Sequence, residues 1–207
     1  MRGIAHHDYL RHDAALGKYS LDAGVLALGH AYLAHHGLTE LLRRHMLTFA
    51  KEHGVSVSLG RCDGADMIYL ESVRSEGPAS LGLGAGSRLA LLSSSMGRAW
   101  LASLEDAPRK ALLARIEKTL PEVWAAQAGA MQRAVDAAHK AGYALSLREW
   151  HPGIDACAVA FVAVADGERY ALSCSLQSAP DRAAAKANLR ERQAPAARQA
   201  GCGGYNF

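Results

Sequence analysis

The stretch ACAVAFVAVADGERYALSCSL, residues 156–176, contains two extended segments on either side of a tight turn. Residues 156–164 form a nearly continuous apolar run with several β-branched and aromatic side chains, which is typical of a buried strand. In residues 169–176, apolar side chains alternate with small or polar ones, which indicates a second strand. Asp166-Gly167 lies between the two segments, and an Asp-Gly pair in this position favours a hairpin. The stretch therefore predicts two neighbouring antiparallel strands.

A second hairpin is predicted nearer the N-terminus. The segments VSVSLG, residues 55–60, and MIYLESV, residues 67–73, both have period two, and Asp63-Gly64 lies between them. Further strands are predicted at YALSLR, residues 143–148, and within residues 79–83. Hairpins place sequence neighbours side by side, and the chain has no regular alternation of strand, helix and strand. The sheet is therefore expected to be antiparallel.

Helical periodicity dominates most of the remaining chain. Gly37 is expected to end the first helix, and Thr39 is expected to cap the N-terminus of the second, which Gly54 ends. The helices predicted in this way cover residues 23–36, 40–53, 95–104, 107–120, 122–141 and 181–200. A small hairpin around Gly17 is predicted before them, over residues 9–21. This order of elements predicts an α+β fold, in which helices flank an antiparallel sheet.

The composition limits the classes of function. The formal net charge is +3, from 23 Lys and Arg against 20 Asp and Glu, and no basic run occurs, so charge alone does not indicate nucleic-acid binding. The four cysteines contain no CxxC pair, which suits a reducing compartment. No apolar signal segment opens the chain, and no run of about 18 apolar residues occurs. A soluble cytoplasmic protein without membrane contact is expected.

Three consecutive serines, Ser93–Ser95, lie between two apolar runs in LALLSSSMGRAWL, residues 89–101. A serine hydrolase of the nucleophile-elbow type needs G-x-S-x-G between a strand and a helix. Centred on Ser95, the motif has Gly97 but a serine in place of the first glycine, and the parallel sheet of such enzymes is not predicted. The serines are therefore expected to cap the following helix, because a serine hydroxyl accepts a hydrogen bond from a first-turn N–H. A serine or cysteine hydrolase is the alternative.

Other motifs in the sequence give weaker indications of a binding or catalytic site. The segment GLGAGS, residues 82–87, has serine where a G-x-G-x-x-G phosphate loop has its third glycine. The ten histidines contain no HExxH motif, and His35 and His36 point to different faces of a helix, so neither a metal ion nor another cofactor is predicted. Cys157 and Cys174 fall inside predicted strands, where cysteine usually acts as a small buried apolar residue.

The last predicted strand contains two hydroxyl groups with a shared orientation. Ser173 and Ser175 alternate with apolar residues in ALSCSL, so both hydroxyls lie on one face of the sheet. A buried hydroxyl without a hydrogen bond costs about 1–3 kcal/mol. Either main-chain groups or water satisfy these serines, or they line a polar patch in a ligand pocket.

Four segments of the chain, taken together, share their order and spacing with one known family. They are YLRHDAALGKYSLDAGVLALGHAYL at residues 9–33, GSRLALLSSSMGRAWLA at 86–102, GYALSLREWHPGIDACAVAF at 142–161, and YALSCSL at 170–176. In this order they resemble the IclR family of bacterial transcriptional regulators. The resemblance covers about residues 9–176. It implies a winged helix-turn-helix, a linker helix and an effector-binding domain of GAF-like α+β fold.

The resemblance also implies a division of the chain into domains. Residues 1–22 resemble the remnant of the winged helix-turn-helix, namely its wing hairpin, and residues 23–37 resemble the linker helix. Residues 38–200 would form the effector-binding domain, and residues 201–207 a frayed tail. The helix-turn-helix itself is expected to be missing from this chain, because the few residues before the hairpin are too short for two helices and a turn. Promoter DNA would be bound only through that missing part.

Carried over by position, the resemblance places an effector site on three segments. The residues concerned are Leu89, Ser95, Met96, Ser146, Ile154, Ala156, Ser173 and Ser175. The implied ligand is a small organic molecule, often a carboxylate, which would act through the geometry of a homodimer or homotetramer. Serine hydroxyls and a helix N-terminus could hold a carboxylate without a buried arginine. Arg98 is a further candidate for this role, although a surface charge is the preferred interpretation of this residue.

Two departures from the family pattern affect this site. The family commonly has proline where Ala90 stands and a small residue where Met96 stands, so the shape of the pocket is expected to differ. The implied function is that of a regulator and not of an enzyme. An oligomerisation module that binds no ligand is the second alternative, beside the hydrolase.

Overall fold

A hairpin and a helix make up the first part of the structure. The computed structural model describes residues 9–35, 37–74 and 82–178, and the chain divides into two compact units, residues 1–41 and 42–207. In the first unit, β1 (Leu10–Asp13) pairs with β2 (Lys18–Leu21) in an antiparallel ladder. Helix α1 (Gly24–His35) follows. The hairpin and the helix predicted for this part are confirmed.

The second unit contains most of α2 (Gly37–His53) and all later elements. Thr39 lies inside α2 because this helix begins two residues earlier, so its predicted role as the N-cap is wrong. Its buried Oγ1 has no hydrogen-bond partner among the described residues. The helix ends before Gly54, as the sequence predicts.

A six-stranded antiparallel sheet forms the centre of the second unit. Its strands are β3 (Ser56–Asp63), β4 (Asp66–Val73), β5 (Arg88–Ala90), β6 (Ala144–Leu147), β7 (Ile154–Val162) and β8 (Arg169–Gln177), in the spatial order β5-β4-β3-β8-β7-β6. Gly64 and Gly167 have positive φ angles in the two Asp-Gly turns, which is the conformation that glycine permits. Pairing between β3 and β8 joins the two predicted hairpins into one sheet.

Three further helices follow β5 and precede β6. They are α3 (Ser95–Ala102), α4 (Asp106–Thr119) and α5 (Pro121–Ala141), close to the predicted ranges. Gly142, in the left-handed conformation, ends α5 as predicted. The predicted helix from Asp181 and the tail after it lie outside the described residues.

The strand predicted within residues 79–83 is not found where it could be observed. Residues 79–81 lie outside the described part, and residues 82 and 83 are not in a strand. The edge strand is β5 instead, and it pairs with β4 through Arg88, Leu89 and Ala90. No strand was predicted from the apolar run LALL, and pairing with β4 makes its first residues a strand.

Both faces of the sheet are buried, but by different elements. One face packs against α3, α4 and α5 in a core that includes Met67, Leu101, Ile116, Met131 and Val135. On the other face, Val57, Leu59 and Val159 are buried. Glu71 pairs in register with Leu59 and so points to this second face, where it forms an ion pair with Arg43 of α2. The α+β fold with helices flanking an antiparallel sheet is confirmed.

Candidate ligand site

The serine triplet marks the N-terminus of α3. Ser94 has an extended backbone, and its Oγ accepts a hydrogen bond from the N–H of Gly97 at 3.1 Å. The predicted N-cap is therefore confirmed, with Ser94 as the capping residue. Ser93, Ser94 and Ser95 are only 2–6% exposed, so this helix N-terminus lies inside the protein. A Cβ at Gly97 would lie 2.1 Å from the carbonyl oxygen of Leu91, so only glycine allows so tight a start.

The sheet beneath α3 presents small and polar side chains. Residues that pair directly across a ladder point to the same face. One such row across β3, β8, β7 and β6 is Ser58, Ser173, Ala158 and Ala144. The next row is Ser56, Ser175, Ala156 and Ser146. Ala144 and Ala158 belong to the core cluster that contains Met96 of α3, so both rows face this helix.

Most of the predicted site residues therefore share one location, although their role as a binding site stays a prediction. Ser146, Ile154, Ala156, Ser173 and Ser175 lie on the helix-facing side of the sheet, and Ser95 and Met96 lie at the start of α3. Leu89 is placed differently. It is buried in the same core cluster as Met96, but β5 lies three strand spacings from β8, about 14 Å along the sheet.

A cluster of hydroxyl groups extends the row of serines, and it was not predicted from the sequence. The Oγ atoms of Ser58 and Ser72 are 2.9 Å apart, and the Tyr69 side chain forms hydrogen bonds with Ser58 and Ser173. Burial raises the pKa of the Tyr69 phenol more than these hydrogen bonds lower it, so the phenol is neutral at ordinary pH. The alternation in VSVSLG was a usable signal for Ser56 and Ser58, but Tyr69 needed the register of β3 and β4.

Met96 fills the space between α3 and the sheet. Its side chain is 1% exposed. A Cβ added to Gly60 of β3 would lie 2.5 Å from the Met96 sulfur, so the thioether lies directly against the bare backbone of this strand. The methionine therefore occupies volume that a smaller side chain at this position would leave open.

Arg98 is buried, so its interpretation as a surface charge is wrong. The residue is 2% exposed. Its Nε donates to the carbonyl oxygen of Leu92 at 3.0 Å, its Nη1 donates to that of Leu145 at 3.0 Å, and the same Nη1 forms an ion pair with Glu149. These contacts connect α3 to β6 and to the loop after it. Local periodicity could not reveal them, because the partners are remote in sequence.

Within the described part of the chain, Cys157, Cys174 and the serine triplet lack the features of a nucleophile. Cys157 and Cys174 face each other across β7 and β8, and burial raises the pKa of each thiol to about 12. Both are thus protonated at neutral pH, as expected for buried apolar residues. Among the described residues, no hydrogen bond joins the serine triplet to a histidine or carboxylate side chain. A base that could activate a serine is not in place.

Neither a metal-binding cluster nor a membrane-spanning helix is found in the described part of the chain. Within residues 9–35, 37–74 and 82–178, no three His, Cys, Asp or Glu side chains converge on a point where a metal ion could be held. Over the same ranges, no helix combines the length and the apolar character needed to cross a bilayer.

Comparison with known proteins assigns the chain to a family. Residues 30–201 match the family model described as bacterial transcriptional regulator IclR C-terminal. The HTH-type transcriptional regulator TsaQ1/TsaQ2 of Comamonas testosteroni is 28% identical over 167 residues, which cover 78% of this chain and 59% of that protein. This chain thus spans less than two thirds of the length of that relative.

Solved structures agree with this match. The crystal structure of an IclR family transcriptional regulator from Brucella abortus is 30% identical, covers 92% of this chain and 74% of its own, and superposes with a TM-score of 0.79. An IclR homologue from Microbacterium hydrocarbonoxydans, complexed with 4-hydroxybenzoate, shares the fold at 21% identity and a TM-score of 0.64, over 92% of this chain and 79% of its own. Members of this family are transcriptional regulators and not enzymes, so the hydrolase alternative is excluded. The family model covers most of the chain, and a solved member of the family shares its fold. This chain therefore belongs to the IclR family and carries that family's C-terminal, effector-binding domain.

Proposed function

We propose that this chain senses a small organic carboxylate at the helix-facing rows of serines, and that ligand binding there controls a transcriptional regulator. The observation that carries the proposal is that the buried N-terminus of α3 lies over a sheet face with several serine hydroxyl groups. Ser94 and Ser95 begin α3, and Ser146, Ser173 and Ser175 lie on the sheet face beneath that helix.

The chemistry of these groups suits an anion. First-turn N–H groups have no partner within their helix, and the helix dipole places partial positive charge there. Serine hydroxyls add donors without adding charge. Arg98 is not needed for this role, because its Nε and Nη1 are already bonded to main-chain oxygens and to Glu149. Hydrogen bonds from these neutral donors would offset part of the cost of removing the carboxylate from water.

Apolar side chains would contact the rest of the ligand. Met96 lies at the start of α3, and Ile154 is the first residue of β7, on the same sheet face as Ala156. Leu89 belongs to the core cluster beside Met96 and would contact only a ligand that extends toward β5. The homologue complexed with 4-hydroxybenzoate supports a compact aromatic or aliphatic carboxylate, because it has the same fold.

The regulator is proposed to act as a homodimer or homotetramer in the cytoplasm. Exposed apolar side chains on the hairpin and α1, including Leu21, Leu28 and Leu26, which is 73% exposed, support contact with a second copy. We propose the domain boundaries of the sequence analysis: residues 1–22 as a wing remnant, 23–37 as a linker helix and 38–200 as the effector-binding domain. Promoter DNA would then be bound through a helix-turn-helix.

Substitution of Ser175 tests the proposal. A panel of small carboxylic acids that includes 4-hydroxybenzoate is first screened for a rise in Tm, since a ligand that binds only the folded state stabilises it. Ser175→Ala should then weaken binding of the best acid about tenfold by calorimetry, with the Tm of the free protein nearly unchanged. Exposed Ser20, changed to alanine, is the control. Equal affinity in wild type and Ser175→Ala, or no acid that raises the Tm, would overturn the proposal.

A further inference from the structure

A groove at the free edge of β6 lies apart from the rows of serines. It is a cavity of about 350 Å³ that opens to solvent between α5 and β6. Its apolar walls are formed by Ala130, Ala134, Ala137 and Ala141 of α5 and by Leu145 and Leu147 of β6. None of the residues in the two rows of serines lines this groove. The groove is therefore a separate space.

Polar groups of three residues line this groove and have unused hydrogen-bonding capacity. The side chain of Arg98 is 3% exposed, and its bonds use Nε and Nη1 but leave Nη2 without a partner in the described part of the chain. Arg133 of α5 and Tyr143 also line the groove. Neither of them has a hydrogen bond or an ion pair with another described residue. Arg98 Nη2 is not among the fully buried side-chain atoms without a partner, so it touches solvent, and a ligand in the groove can accept a hydrogen bond from it.

The charges around the groove favour an anion. Arg98 and Arg133 contribute two positive charges, and Glu149 contributes one negative charge that is already paired with Arg98. The walls therefore carry a surplus of one positive charge. Guanidinium groups bind carboxylates with two parallel hydrogen bonds, and the alanine and leucine walls suit an apolar body. The volume lies at the lower end of the range for small-ligand pockets.

We propose that this groove is a second binding site, which takes a small organic carboxylate between Arg98 Nη2, Arg133 and the Tyr143 hydroxyl. The carboxylate oxygens accept hydrogen bonds from the two guanidinium groups, and the apolar part of the ligand lies against the alanines of α5. The inference does not depend on the function proposed for the serine rows, because the two sites use different side chains.

Benzoate is the probe for an NMR titration of the full 207-residue chain, followed through backbone amide resonances. The amides of Ala134 and Ala137 report on the groove, and those of Ser173 and Ser175 report on the serine rows. Benzoate should shift the groove amides to saturation. Benzyl alcohol, which has the same ring without a carboxylate, should bind there at least about tenfold more weakly.

Two variants of α5 separate a site from a general charge effect. Arg133→Gln should weaken benzoate binding at the groove amides about fivefold. Lys140→Gln removes the same charge from the same helix but does not line the groove, and it should change the affinity less than twofold. Equal effects of both variants, or groove amides that do not saturate, would overturn the inference. Saturable shifts confined to Ser173 and Ser175 would also overturn it, while the function proposed for the serine rows would stand.

Discussion

Replacing Arg98 by alanine should destabilise the second unit far more than replacing its partner Glu149 by glutamine. The Arg98 side chain is buried and donates to the carbonyl oxygens of Leu92 and Leu145 as well as to Glu149. The side chain of Glu149 is 39% exposed. The two members of one ion pair therefore have unequal surroundings, one enclosed by protein and the other partly hydrated.

The expected loss in the free energy of unfolding depends on which hydrogen-bond partners each substitution leaves unpaired. Arg98→Ala leaves two carbonyl oxygens without their donor, at about 1–3 kcal/mol each when buried, and removes the packing of the aliphatic stem. The expected loss in the free energy of unfolding is about 4 kcal/mol. Glu149→Gln keeps the size and one acceptor oxygen, and Arg98 keeps both carbonyl partners. Because water reaches Glu149, the loss there is about 1 kcal/mol.

Urea and thermal unfolding followed by circular dichroism would measure the difference. For a chain of this size, about 1 kcal/mol shifts the Tm by about 2–4 °C, so Arg98→Ala should lower it by about 8–16 °C. Arg88→Ala is the control, because Arg88 pairs with Asp63 and Asp66 at an exposed edge, and it should lower the Tm far less than Arg98→Ala. Equal losses for Arg98→Ala and Glu149→Gln would refute the reasoning, as would a loss for Arg98→Ala no larger than the control.

Two other predictions concern Met96 and the two buried cysteines. Met96→Ala should lower the free energy of unfolding by about 2–5 kcal/mol. In this variant, ring-substituted benzoates should raise the Tm more than in the wild type. The same rise in both proteins would show that Met96 does not limit ligand size. Cys157 and Cys174 should resist labelling by iodoacetamide at neutral pH, because burial raises the pKa of both thiols to about 12. Peptide mapping would measure the labelling. Labelling as fast as in the unfolded protein would contradict their burial. Since the folded state favours the neutral thiols, their contribution to stability should be intact below pH 9, the ordinary value, and should be lost as the pH rises toward 12.

Local signals predicted the hairpins because their contacts are local. Asp63-Gly64 and Asp166-Gly167 set two tight turns, and the alternating segments beside them can pair with little loop closure. The edge strand β5 carried no comparable signal. It has three residues and no turn of its own, and its partner β4 lies about twenty residues earlier in the chain.

The candidate site was predicted in part for the same reason. Ser173 and Ser175 were recognised because alternation within one strand shows a shared face. Tyr69 and Ser72 were missed, because only the ladder between β3 and β4, and that between β3 and β8, brings them beside Ser58 and Ser173. The resemblance to a family supplied Ser146 and Ile154, which periodicity alone would not have joined to the other serines.

The sequence by itself determined the type of each major element, the antiparallel pairing inside each hairpin and the serine cap of α3, since these depend on residues close together in the chain. Only the tertiary structure decided which faces are covered and which polar groups are buried. Arg98 shows the physical reason. On an isolated helix its charge belongs in water, and it becomes a buried donor only because Leu145 and Glu149, remote in sequence, supply acceptors that offset the cost of removing it from solvent.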